Sequence, residues 1–167
     1  MSVTSNIILN HQEIEHKIRR IAYQIYESNV DSERVVIAGI ESNGYLLAQK
    51  LKRELESISH LEIILCKVSI NKKAPWSAIE TSLKSEKYAN ESLVLVDDVL
   101  NSGSTLIYGV KHFLEVPLKQ FKTAVLVNRN HKKYPVKADF KGISLSTSLK
   151  EHVEVILEGN QFSATLK

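Results

Sequence analysis

Three short apolar runs constrain this chain more than anything else in it: RVVIAGI at 34–40, LEIILCKVSI at 61–70 and SLVLVDD at 92–98. They lack the steady polar alternation of a strand with one wet face, so each reads as a strand covered on both sides. The cover comes from the segments around them. From Asn10 to Ser28, Ile14, Ile18, Ile21, Ala22 and Ile25 recur at spacings of three and four, opposite Glu15, Lys17, Arg19 and Arg20, which predicts an amphipathic helix. YLLAQKLKRELES, after the turn ESNG, and STLIYGVKHFLEV, after the third run, predict two more helices. FKTAVLVN reads as a fourth strand, and shorter ones follow near Ala138 to Ile143 and Val153 to Leu157. Strands that alternate with helices of crossover length require parallel pairing. The expectation is an α/β fold: a single domain over residues 1–167 with a parallel twisted sheet and helices on both faces.

Sheets of this kind bind ligands at the carboxyl ends of their strands. That rule gathers ESNG, the segment of about 71–90, the Asp97-Asp98 pair and the loop after Val127 on one rim. The 71–90 segment carries Trp76 and Pro75 with no clear period, and a loop of that length inside a compact domain is expected to be a flexible lid. Composition adds mainly exclusions. A net charge of +3 from 22 basic and 19 acidic residues, spread along the chain, gives no strong basic field, so RNA is a permitted partner rather than a favoured one. The densest basic cluster, HKKY at 131–134, reads either as a contact for phosphate or RNA or as a solvated loop. Cys66, the single cysteine, excludes an internal disulfide and reads as a buried core thiol. No stretch approaches the roughly 18 apolar residues of a membrane span, and no secretory signal opens the sequence, so a cytoplasmic protein is expected.

The chemistry concentrates in LVLVDDVLNSGST. The third strand is expected to end at Asp97-Asp98, and Asn101, Ser102, Gly103, Ser104 and Thr105 lead into a helix whose first turn has unpaired N–H groups. Such a helix end suits an anion; the hydroxyls add donors and the glycine lets the backbone approach closely. No Walker-type lysine follows, so this is not a nucleoside-triphosphate loop. Two adjacent carboxylates at a strand end can bind a metal, act as acid and base, cap the turn, or accept hydrogen bonds from a vicinal diol. A ribose 5-phosphate offers its diol and its phosphate at the right separation, and suits the whole motif best.

VLVDDVLNSGST resembles the phosphoribosyl-pyrophosphate motif of type I phosphoribosyltransferases. VVIAGIESNGYLLAQKL, AVLVNRNHKKYPVKADFKG and STSLKEHVEV extend the resemblance toward the pyrimidine-operon attenuator and uracil phosphoribosyltransferase branch. The resemblance implies a small hood built from N-terminal residues and about 138–157, and transfer of a phosphoribosyl group to a nucleobase, uracil foremost, with release of pyrophosphate. It implies Asp97 and Asp98 as the catalytic pair on the ribose hydroxyls, meeting magnesium indirectly through ribose or water, and Asn101 to Thr105 on the 5′-phosphate. Ser42, Asn43 and Gly44 would face the diphosphate with backbone amides, joined by Lys72 and Lys73 of the lid if those are not merely solvated. Val99, Arg129, Asp139 and Leu145 would border the base, with His131 in the same segment as Arg129. Phosphoribosyl pyrophosphate and a nucleobase or nucleoside monophosphate are the implied ligands, and a homodimer or higher homo-oligomer the implied assembly. The same branch carries a second possibility, a nucleotide-sensing RNA-binding regulator of pyrimidine genes with little or no catalysis.

The chain departs from the family pattern on the leaving-group side. Glu41 and Asn43 stand where basic residues are usual, CKVSINKKAP replaces an Arg-Asp-Asp type segment, and Ser146 stands where a proline is usual. Diphosphate binding is therefore expected to be weaker. Elsewhere His112, His152, Tyr23, Tyr26 and Tyr45 read as packing or surface residues. Trp76 alone, an aromatic in a polar loop, suggests stacking on a base or lid closure.

Overall fold

The computed structural model describes residues 6–167. Its elements, in chain order, are β1 (Asn6–Leu9), α1 (His11–Glu27), β2 (Arg34–Ile40), α2 (Asn43–Ile58), β3 (Glu62–Ser69), β4 (Glu80–Thr81), α3 (Ser85–Tyr88), β5 (Ser92–Leu100), α4 (Ser104–Phe113), β6 (Gln120–Arg129), β7 (Phe140–Leu145), β8 (Val153–Ile156) and β9 (Ser163–Leu166). The main sheet has the order β4-β3-β2-β5-β6-β7. Strands β2, β3, β5, β6 and β7 run parallel, and only the two-residue β4 is antiparallel. The α/β sheet expected from the apolar runs is present, with β2 and β5 at its centre.

Each face of the sheet carries its own core. On one face Ile14, Ile18, Ile21 and Ile25 of α1 and Leu47, Leu51 and Leu55 of α2 pack on Val35, Ile37, Val94 and Val96. On the other, Leu106 and Phe113 of α4 and Tyr88 of α3 pack on Val36, Ala38, Leu93 and Leu95. α1 starts where its sequence says it should: Asn10 Oδ1 accepts from the Glu13 N–H at 2.8 Å, and Glu13 Oε1 accepts from the Asn10 N–H at 3.2 Å. This reciprocal capping box satisfies donors the first turn leaves free.

Four expectations need correction. β5 runs two residues past Asp98, because Val99 and Leu100 keep pairing with Val127 and Asn128 of β6. α2 begins at Asn43, inside the stretch expected to be a turn, since Gly44 lets the first helical turn sit hard against β5. A Cβ on Gly44 would stand 2.8 Å from Val96 O. The 71–90 segment is not irregular throughout: it contains β4, paired with Val68 and Ser69, and the single turn α3, anchored by the buried ring of Tyr88. The hood region also divides differently. Residues 140–145 extend the main sheet as β7, while β1, β9 and β8 form a separate three-stranded antiparallel sheet. The most N-terminal hood residues, 1–5, lie outside the described residues.

Candidate functional site

β5 delivers the two carboxylates to the carboxyl-end rim, and successive residues on a strand face opposite ways. Their partners differ accordingly. Asp97 is 4% exposed, and its Oδ1 lies 3.6 Å from Lys72 Nζ, the first lysine after β3. Asp98 is half-buried, and its Oδ2 accepts from Asn43 Nδ2 at 3.2 Å. The same Asn43 nitrogen donates to Val155 O of β8 at 2.8 Å, so one amide ties the second carboxylate to the small sheet. Burial, reinforced by the neighbouring Asp98, pushes the Asp97 carboxyl well above the ordinary carboxylate range, and Lys72 offsets only part of that.

The loop that follows is held open by its own chemistry. Gly103 has φ 88°, the left-handed region that favours glycine, and serves as the N-cap of α4. Ser102 Oγ donates to Ser104 Oγ at 3.1 Å and accepts from the Ser104 N–H at 3.3 Å. Ser102 O accepts from the Lys133 and Tyr134 N–H groups at 2.8 and 3.1 Å, which fastens the 131–134 segment under the loop. The first intrahelical bond of α4 is Ile107 N–H to Gly103 O, so the preceding amides of the first turn point outward without an intrahelical acceptor. Asp97, Lys72, Val99, Leu100, Leu106, Val125 and the whole of 101–105 line one pocket of about 70 Å³. That is room for several waters, and its lining offers amide, hydroxyl and ammonium donors to an anion.

The structure therefore brings Asp97, Val99, Asn101, Ser102, Gly103, Ser104, Thr105 and Lys72 together in one pocket, with Asp98 adjacent on β5 and turned toward Asn43. Other candidates fall differently. Lys73 is exposed and outside the pocket lining. Ser42, Asn43 and Gly44 lie at the start of α2, where Gly44 is buried against Asp97 and Asn43 spends its side chain on Asp98 and Val155. Leu145 ends β7 in register with Arg129 and packs on the α1–α2 core. Trp76 is 69% exposed and stands beside Tyr108, Lys111 and His112 of α4, away from the carboxylates.

Two residues expected near the base, Asp139 and Arg129, already have partners within the protein. Asp139 precedes β7, and its Oδ2 accepts from the Thr123 N–H at 2.9 Å near the start of β6. Because β6 and β7 are parallel, that is the level at which β7 starts, and the six residues from Thr123 to Arg129 span about 20 Å. Thr123 is level with Leu95, two residues before Asp97 on β5, so Asp139 stands about 7 Å short of the Asp97 level along the strands, with its carboxylate taken up by Thr123. Arg129 is at the correct end but is enclosed: it is 7% exposed, and its guanidinium donates to Asn101 Oδ1, Thr147 Oγ1, Ser148 O and Glu151 O. His131 Nε2 meets Thr147 O in the same segment.

On the leaving-group side, Glu41 is answered by Lys67: the two form an ion pair at 3.5 Å, with the Lys67 ammonium 5.4 Å from the Tyr45 ring centroid. Lys67 is thus committed to the acid that replaces a basic residue. Asn43 as the link between Asp98 and β8, and Tyr134 and Val136 as the floor of the loop, were not evident in the sequence. Both depend on segments far apart in the chain, and only the spacing of small residues around Gly103 hinted at a close neighbour.

Comparison with known proteins supplies an independent reading. Residues 4–158 match the family model described as the phosphoribosyl transferase domain. The chain is 32% identical to the bifunctional protein PyrR of Fusobacterium nucleatum over 168 residues, covering 95% of this chain and 94% of the relative. It is 33% identical to the protein of the same name from Corynebacterium glutamicum over 162 residues, covering 90% and 84%. Among solved structures, a hypoxanthine-guanine phosphoribosyltransferase from Bacillus anthracis superposes with a TM-score of 0.71 at 17% identity over 84% of this chain and 82% of that one. A Trypanosoma cruzi hypoxanthine phosphoribosyl transferase gives 0.74 at 15% identity over 90% and 80%. At those identities the structural likeness establishes the fold alone.

Proposed function

Because the chain belongs to the phosphoribosyl transferase domain family, we propose that it transfers the 5-phosphoribosyl group of phosphoribosyl pyrophosphate to a nucleobase, with uracil as the acceptor. The observation that carries this reading is the pair Asp97-Asp98 near the carboxyl end of β5, beside the small-residue loop with its left-handed Gly103. The two carboxylates accept the ribose hydroxyls, and the 101–105 amides and hydroxyls take the 5′-phosphate. Lys72, now 3.6 Å from Asp97, exchanges that partner for diphosphate oxygens when the cosubstrate enters. Val99 and Leu145 border the base.

The reaction displaces pyrophosphate from C1 of the sugar by a ring nitrogen of the base, through a transition state with oxocarbenium character. The protein's task is to place the sugar, stabilise charge as it develops on the leaving group and keep water out. Magnesium fits as an ion shared with the cosubstrate. Among the described residues no cluster of three or more His, Cys, Asp or Glu groups forms a closed cage, and magnesium is commonly held by one or two carboxylates together with phosphate oxygens and waters. Asp97 and Asp98 would hold it through ribose or water, and it would neutralise charge on the departing diphosphate.

The test is pyrophosphate release by the purified protein with magnesium, phosphoribosyl pyrophosphate and uracil, cytosine, hypoxanthine or guanine in turn. Release with uracil alone is the expected result; no release with any base refutes the enzyme reading.

A second reading stands beside the first: a nucleotide-sensing regulator of pyrimidine genes that binds RNA. It is favoured by the word bifunctional in the relatives' names and by a groove of about 500 Å³ between α1 and α2 that gathers Arg19, Lys50 and Arg53 against Glu15 and Glu54. Salt-dependent binding of pyrimidine-operon leader RNA, changed by added nucleotide, is what this reading requires.

A further inference from the structure

Arg129 is a buried cation that no anion among the described residues matches. It is 7% exposed, and every acceptor on its guanidinium is a neutral oxygen: Asn101 Oδ1 at 3.1 Å, Thr147 Oγ1 at 2.7 and 3.0 Å, Ser148 O at 3.1 Å and Glu151 O at 2.8 Å. Glu151 contributes only its backbone, for its carboxylate accepts from the Ser148 N–H at 2.7 Å. Among the described residues no carboxylate lies within ion-pair distance of Arg129, whereas Arg34, also on a strand, has both Glu62 and Glu91. A guanidinium keeps its charge across the working pH range, and a buried charge without a counter-charge is costly. If Arg129 only fastened neutral groups together, a neutral amide would do so without the desolvation.

The position of the charge supplies a reason for its retention. Asn101, whose oxygen it holds, is the first residue of the loop that lines the anion pocket, and Thr147 to Glu151 lead directly into β8 of the small sheet. We infer that the counter-charge of Arg129 is the phosphate of the ligand, and that Arg129 is a positioning residue: through Asn101 it presets the 101–105 loop, and its field favours a dianion in the pocket. This assigns Arg129 to the phosphate end of the cosubstrate rather than to the base. The inference rests on the phosphoribosyl reading above.

Charge and bonding separate in two variants. Arg129→Lys keeps the charge and loses the forked geometry; Arg129→Gln keeps an amide donor and loses the charge. Binding of ribose 5-phosphate and of unphosphorylated ribose is measured by calorimetry, with KM for phosphoribosyl pyrophosphate and for the base alongside. The expected result is a ten-fold or greater loss of ribose 5-phosphate affinity in Arg129→Gln and a loss within about three-fold in Arg129→Lys. KM for the cosubstrate should rise in step, with kcat and KM for the base within two-fold of wild type. Equal losses in both variants, or a loss that falls equally on ribose or the base, mark a purely structural clamp and overturn the inference. Should Arg129→Gln fail to fold, Asn101→Asp brings a carboxylate to the same guanidinium; phosphate affinity undiminished in that variant overturns it equally. Wild type that binds ribose 5-phosphate while Arg129→Gln binds it as well refutes this inference alone, whereas wild type that does not bind it refutes the phosphoribosyl reading too.

Discussion

Replacing Gly103 with alanine places a side chain where the backbone and its neighbour both refuse one. The residue has φ 88°, and a Cβ there would stand 2.7 Å from Val136 Cγ1, well inside contact distance. Holding an L-residue left-handed costs roughly 1–2 kcal/mol, and forcing a methyl into an occupied space adds about 1–3 kcal/mol. In a domain of this size each kcal/mol moves the melting temperature by about 2–4 °C, so the expected drop is on the order of 10 °C. Thermal unfolding by circular dichroism measures it, and Gly103→Ala in a Val136→Ala background divides it. The double variant should recover the steric part and leave the dihedral part. KM for phosphoribosyl pyrophosphate should rise in both, because the shifted turn moves the Ser104 and Thr105 amides. A Gly103→Ala protein with wild-type melting temperature and wild-type KM would refute the account of this loop.

Asp97→Asn should remove activity yet raise stability at neutral pH, since it deletes a buried carboxylate beside a second one while Lys72 remains half-exposed to water. The raised folded pKa means the native state still holds a proton that the unfolded chain releases near 3.8, so wild-type stability falls as pH climbs from there through the raised value. The melting advantage of Asp97→Asn should open across that window and then level; an advantage constant with pH contradicts the burial argument. Asp139→Ala should leave kcat/KM within two-fold, because its carboxylate is spent on Thr123 at the start of β7, but cost about 1–3 kcal/mol by orphaning the Thr123 N–H. A selective rise in KM for the base would return Asp139 to the site.

What the sequence determined by itself is what local chemistry dictates. β-branched runs without alternation require a sheet covered twice, and β2 emerged at its expected bounds. Ile14, Ile18, Ile21 and Ile25 require one helical face, and Asn10 with Glu13 sets where α1 starts. The order Asp-Asp, small residues, helix marked out the pocket-lining 97–105 segment because each part acts over a few residues. Tertiary structure decided everything that depends on distant partners. β5 continues past Asp98 because β6 offers it two more residues to pair with. β1 and β9, four residues each, carry too little pattern to be seen and exist as strands because they pair with each other. Asp139 and Arg129 are only ten residues apart in the sequence, yet the parallel crossing of β6 and β7 puts one at the start of β7 and leaves the other buried beside the 101–105 loop at the end of β6. No local signal distinguishes those fates, because parallel register, not residue type, decides which level of the sheet a side chain reaches.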